Sequence, residues 1–264
     1  MVGELVSSLS SARVSVYRED IARRSGRSPR QVGTGEVESL YVWQAAMAAA
    51  WYESIALFEP LLRNRLDVAL RRWNLSRGHS ADWLDDPAAP LKGLVTRMAG
   101  SSSKAAITAA SRRAPMHPRY GARITFDDKV AQLSFGNIAS LFPQNPPTKR
   151  DKLASGYTAY ENLWLHGLSN SFPGLSERFV SNAKFAYSFS APGSVEAAYA
   201  VGNCLESLRR LRNRVSHQEQ ILYVDHPARL AELYGLTHAI APHALGVMKR
   251  LDRVQRALAM RPQY

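Results

Sequence analysis

Cysteine is almost missing from this chain. Cys204 stands alone, so no intramolecular disulfide can form. Long apolar runs are missing too. The most apolar stretch, Ala45 to Phe58, is interrupted by Glu53 and falls short of the roughly 20 residues that a membrane-spanning helix needs. It reads as a buried core helix, and no membrane is expected among the partners. The opening residues lack the charged segment followed by an apolar one that marks a secretory leader. With the lone cysteine, this points to the cytoplasm. No glycine-rich phosphate loop is present, and one Cys with seven dispersed His gives no zinc-ligand spacing. Nucleotide hydrolysis and zinc therefore have no residues to carry them, and no metal or other cofactor is expected. Strand-like alternation is nearly absent as well.

Acidic residues are outnumbered. The 264 residues hold 34 Lys and Arg against 22 Asp and Glu, a formal charge of +12. Of those cations, 27 are arginine. The guanidinium is a planar fork of donors that matches phosphate and stacks on bases. A basic chain of this kind points to a polyanionic partner, here a nucleic acid; the plain alternative is that abundant arginine and alanine reflect a GC-rich genome. With 45% hydrophobic residues, it can also bury a sizeable core.

The periodicity predicts helices separated by short breaks. A short basic helix runs from Val14 to Ser25 and ends at Gly26. Ser25 to Gly35, rich in Gly, Ser, Arg and Pro, reads as a mobile loop whose arginines can touch phosphate. Glu36 opens a long apolar-periodic segment to about Trp73, which Pro60 must kink or divide. Turns follow from Leu75 to Pro90. Two helices are then expected, Leu91 to Met98 and Lys104 to Arg113, closed by Pro115 and Pro118. Further helical pieces are Phe126 to Leu141 and Asn162 to Leu168, while Ser176 to Ser188 stays open. Ser194 to His217 reads as one helix, with Ser194 as N-cap and acids before the arginine-rich end, an order that suits the helix dipole. Thr237 to Met260 reads as a final amphipathic helix. A helix-turn-helix finds no second recognition helix.

The end of the Ser194–His217 helix carries a constellation suited to chemistry. In Arg212-Asn213-Arg214-Val215-Ser216-His217, four residues separate Arg212 from His217 and a polar residue follows the arginine. This is the Rx4–6H pattern of HEPN ribonucleases. Spacing alone is weak in so arginine-rich a chain: Arg72 and His79 fit it, as do Arg112 and His117. Those two pairs are interrupted by Gly78 and Pro115, whereas the third has unbroken helix behind it. Asn213 and His217, four apart, share a helix face, and Arg210 lies two turns from His217 on it. RNA can be cleaved by its own 2′-OH attacking the adjacent phosphate. Imidazole takes that proton and imidazolium gives one to the leaving 5′-oxygen, and a guanidinium steadies charge on the phosphoryl oxygens. A plain alternative is an arginine-rich, solvated helix end.

The chain also resembles the Abi-like (abortive infection) family of the HEPN superfamily from near Leu9 to about Ile221. The resemblance rests on short pieces in a shared order. They are Leu9-Ser10-Ser11-Ala12-Arg13 with Tyr17, Leu40-Tyr41-Val42-Trp43, Phe58-Glu59-Pro60-Leu61-Leu62-Arg63-Asn64 and Leu133-Ser134-Phe135-Gly136. Leu163-Trp164, Ser171-Phe172-Pro173 and Leu211 to Glu219 follow. It departs at Gln218, where the family has a second His, at Asn137-Ile138 after Phe-Gly, and at Gln44. The resemblance implies an all-α, HEPN-like helical bundle with additional helices. It makes residues 1–264 a single domain, with a basic arm and loop over 1–35, a core over 36–225 and a C-terminal helical region over 226–264. It further implies a homodimer whose Arg–His helices build one cleft, a toxin-like endoribonuclease of phage defence, and restraint by a small noncoding RNA or protein antitoxin.

The expected catalytic residues are therefore Arg212, Asn213 and His217, with Glu59, Arg63, Asn64 and Glu219 in support. RNA is expected along Arg209, Arg210 and Arg214, and along Arg112, Arg113 and Arg119, where Tyr120 can stack a base. A non-catalytic RNA-binding or dimerisation module of the same fold is the alternative. A helical DNA-binding regulator is permitted by charge and supported by no motif.

Overall fold

The computed structural model describes residues 4–147, 156–176 and 193–264. It is all-α, with no strand among the described residues. The helices are α1 (Glu4–Ser7), α2 (Ser11–Ser25), α3 (Thr34–Ser76), α4 (Leu91–Ser111), α5 (Phe126–Ala131), α6 (Phe135–Ala139), α7 (Ala159–Leu163), α8 (Val195–Ser216), α9 (His226–Ile240), α10 (Leu245–Leu251) and α11 (Val254–Ala259). No described helix is long and apolar enough to cross a membrane. The open segment from Ser176 to Ser188 lies, past Ser176, outside the described residues.

Several expectations about elements need correcting or narrowing. Phe126 to Leu141 is two short helices, α5 and α6, the second capped by Ser134. Ser25 to Gly35 is a connection between helices, as expected, with local order inside it: Gly26 caps α2 in the left-handed region at φ 69°, Pro29–Gln31 form a 3-10 turn, and Arg27 pairs with Glu36 at 2.6 Å. Pro60 does not start a new helix, because α3 passes through it. Proline costs the helix one amide donor, and buried Phe58 and Leu62 hold the chain on either side. The expected pair of helices after Pro90 is one helix, α4. Its buried Leu91, Val95, Met98, Ser102 and Ala106 keep helical spacing across the weak centre, and Ser101 and Ser102 donate back to the carbonyls of Met98 and Ala99. The tail is three helices where one was expected. Pro242, which lacks an amide proton, opens a 3-10 turn after α9, and the Asp252 carboxylate accepts from the Val254 N–H at 2.9 Å to start α11.

The chain forms two compact units. The first gathers Met1–Leu57, Arg210–Ala231 and Val247–Tyr264; the second gathers Phe58–Arg209 and Glu232–Gly246. In the first, α3 buries Val37, Leu40, Trp43, Met47, Ala50, Trp51 and Ile55, steps of three and four that keep one face inward. The C-terminal residues clasp that helix. The Trp43 indole donates to the Ala257 carbonyl at 2.7 Å, the Arg261 guanidinium lies 4.6 Å from the Trp43 ring centroid, and the Tyr264 hydroxyl donates to the Glu36 carbonyl. Asp20, fully buried, is neutralised by Arg23, Arg24 and Arg261, which offsets the cost of burying its charge.

In the second unit the α3 stripe continues through Phe58, Leu62, Leu66, Leu70 and Trp73. Asn74 there stitches the following loop, donating to the carbonyls of Ser80 and Asp86 and accepting from the Ala88 amide. Trp164 packs edge-on against Phe142 and tilted against Phe172. In α8, Gly202 passes so near the Pro143 carbonyl that a Cβ would lie 2.0 Å from its oxygen; only glycine allows that approach.

Candidate functional site

The helix that carries the Arg–His pattern forms as its sequence dictates. The Ser194 hydroxyl accepts from the Ala197 amide at 3.3 Å, Glu196 lies in the first turn and Arg214 in the last. Buried Leu205, Leu208, Leu211 and Val215 mark its inward face. The expected end at His217 is met within one residue. α8 closes at Ser216, and the His217 amide still donates to the Asn213 carbonyl at 2.9 Å. His217 is thus the C-cap. Beyond it, Gln218 N–H donates to Val215 and Glu219 N–H to Arg214, the two bonds of a Schellman cap. Gln218 holds the left-handed position at φ 53°, and its carbonyl accepts from Arg13 at 2.9 Å. This position, where the resembled family carries its second His, has a backbone role here that glycine fills best. Gln218→Gly should raise the unfolding free energy by about 0.5–1 kcal/mol, read from the urea midpoint; an unchanged or lower midpoint would show that the cap holds no strain.

The cap presents its polar side chains outward. Arg212 and Asn213 are half-buried, while Arg214, His217 and Glu219 are exposed. The side chains of Arg212, Asn213 and His217 make no hydrogen bond or ion pair among the described residues, so all three stay available to a ligand. They share the first compact unit with Arg210, Arg214 and Glu219.

The other expected site residues belong to the second unit. Arg63 pairs with Glu59 at 2.8 Å, four residues apart on α3 with both side chains mostly covered, while Asn64 is exposed. Arg209 gives two donors to Glu206, at 2.6 and 2.7 Å. Arg113 and Arg119 converge on the Asp128 carboxylate at 2.8 and 2.5 Å. Despite burial, that carboxyl is held well below the usual range by the Thr125 amide and the two guanidiniums. Arg209, Arg113 and Arg119, expected along RNA, therefore already hold acids within the protein, and Arg112, exposed, has no such partner among the described residues. Local sequence hides this, because Arg113 and Asp128 meet only when α5 caps back.

Two features went unsignalled in the sequence. His226 is buried between Trp43 and Trp51, accepting at Nδ1 from the Trp51 indole at 2.9 Å. A polar pocket also opens between α3 and the turn after α7. Among the described residues no three His, Cys, Asp or Glu side chains converge as a metal site would need. No family model, curated protein or solved structure matches this chain.

Proposed function

We propose that this chain is an endoribonuclease of the HEPN type, a toxin-like, Abi-like effector of phage defence that works in the cytoplasm without a metal. The observation that carries the reading is the end of α8: Arg212, Asn213 and His217 stand on the last turn and cap, unpartnered among the described residues. The resemblance along the chain and the excess of arginine support it. In the reaction, neutral His217 takes the proton of a ribose 2′-OH as that oxygen attacks phosphorus. The bond from phosphorus to the 5′-oxygen breaks, and an imidazolium protonates the leaving oxygen. Arg212 holds the charge that builds on the non-bridging oxygens, and Asn213 orients the phosphate by hydrogen bonding. Two chains pair so that one His217 serves as base and the other as acid, and a small noncoding RNA or protein antitoxin restrains the dimer.

Two measurements bear on binding and assembly. If about four phosphates are engaged, affinity for single-stranded RNA should fall with a log–log salt slope near −3, roughly 50-fold for a fourfold rise in salt; a flat response would remove the electrostatic basis. Light scattering should give a mass twice that of the 29.3 kDa chain, and a strict monomer would count against shared histidines. Binding with no cleavage would identify the non-catalytic module.

A further inference from the structure

We propose that the pocket between α3 and the turn following α7 is a binding site for a phosphate group, free or as a monoester, separate from the Arg212–His217 cap and independent of the nuclease reading. The cavity, about 350 Å³, is lined by Arg65, Arg72, Trp73, His166, Asn170 and Ser171 among others, all within the second compact unit.

Helix spacing explains why its arginines are available. On α3, Arg63 and Arg71 each have an acid four residues earlier, Glu59 and Asp67, and each pairs with it. Arg65 and Arg72 have Leu61 and Val68 there, and Ala69 and Ser76 four residues later. Seven residues apart, they lie on one face two turns from each other. Arg65 uses its Nε–H on the Ser171 carbonyl at 3.3 Å and keeps its terminal nitrogens. Arg72 makes no hydrogen bond or ion pair among the described residues. Among the described residues no lining residue is an acid, so these walls leave the charge of both guanidiniums in place.

The opposite wall is built rather than incidental. After α7 the chain widens into one π turn, Trp164–Leu168, closed by the Ser169 amide on the Trp164 carbonyl, and a 3-10 turn carries it to Ser171. Such single π turns recur at functional sites. The widened turn presses on the Trp73 indole: a Cβ on Gly167 would lie 3.4 Å from Trp73 Cγ. Trp73 and Ser171, both more than nine-tenths buried, leave the indole Nε1 and the Ser171 Oγ with no hydrogen-bond partner among the described residues. A buried donor without a partner is uncommon and asks for an explanation.

The lining chemistry selects the ligand. Indole and guanidinium nitrogens donate and never accept, and serine and asparagine can add donors. A group with several acceptor oxygens and more than one negative charge complements that set, and the planar guanidinium fits phosphate with two parallel bonds. Trp73 is too covered to stack a base, so recognition rests on the phosphate and not on the nucleobase.

Calorimetry on the full chain tests the site, with inorganic phosphate, a nucleoside 5′-monophosphate, a 5′-phosphorylated RNA dinucleotide and its 5′-hydroxyl counterpart as separate probes. At least one of the three phosphorylated probes should bind at or below about 10 mM, and the one that binds tightest tells whether free phosphate, nucleotide or RNA end is the source. Arg65→Gln and Arg72→Gln, both at exposed positions, should each weaken binding about 10- to 100-fold with the helical circular dichroism unchanged, whereas His217→Ala should leave it intact. In a magnetic resonance spectrum of the tryptophan indole N–H groups, the Trp73 signal should shift on phosphate addition. The proposal is overturned if no phosphorylated probe binds, if the 5′-hydroxyl dinucleotide binds the Arg212→Ala protein as well as its phosphorylated form does, or if the double arginine variant binds like the wild type.

Discussion

Replacing His217 with alanine should lower RNA cleavage by about 10²–10⁴-fold, the usual contribution of a positioned acid–base group. Structure and RNA binding should change little. The His217 side chain is exposed and makes no hydrogen bond or ion pair among the described residues, and its backbone N–H, which closes the last turn on Asn213, is kept by alanine. The loss should therefore fall on the rate and not on the helix content. Arg212→Ala should also inactivate but weaken RNA binding as well, because a guanidinium holds phosphate in the ground state and the transition state alike. Chelators should leave the wild-type rate unchanged, since imidazole and guanidinium supply every group the reaction needs. Retention of wild-type activity by the His217→Ala protein, in the same gel assay, would remove this histidine from the mechanism.

A drop from pH 7.5 to pH 5 should cost the fold about 2 kcal/mol, and His226 should be responsible. Burial, and then the nearby Arg261 charge, push its pKa down to about 4. The geometry agrees. Nδ1 accepts from the Trp51 indole at 2.9 Å and so carries no proton, and burial outweighs the opposing backbone hydrogen bond to Ile221. In the unfolded chain the ring titrates near the ordinary value of about 6.5. As pH falls, the unfolded state takes up the proton first. Stability from this group is therefore complete above that value and is lost progressively as pH falls through about 4. Carboxylates held low by arginines, Asp128 and Glu36, contribute in the same direction only below about pH 4.5. Urea midpoints at the two pH values test this. His226→Gln, which can still accept from Trp51, should be less stable at neutral pH but nearly flat across the window. Equal pH slopes in wild type and variant would show that the ring is not held neutral.

Local patterns made much of the helical framework readable. Apolar spacing marked α8, Gly26 marked the end of α2, and the arginines and His217 at the end of α8 stand where their sequence neighbours put them. The errors came where tertiary structure overrides local preference. Two helices are expected on either side of Ala99 to Ser103, but in the fold Ser101 and Ser102 bond back within the helix and it continues. Pro60 allows either a kink or a new helix, and the fold keeps one helix through it, with buried residues on either side. The basic run near Arg113 looked free because its acid, Asp128, lies 15 residues on. His226 and Trp51 are separated by 175 residues, and the pocket joins Arg65 to Ser171 across 106. No short-range pattern announces either contact.

The chemistry of the ends left on cleaved RNA tests the central claim most directly. Attack by the neighbouring 2′-OH must leave a 2′,3′-cyclic phosphate on one fragment and a 5′-hydroxyl on the other, and an all-2′-deoxy substrate of the same sequence must stay intact. Mass spectrometry of the products from a defined oligoribonucleotide should show that pair of ends with wild-type protein and none with His217→Ala. Fragments carrying a 5′-phosphate and a 3′-hydroxyl, or cutting of the deoxy strand, would contradict the account.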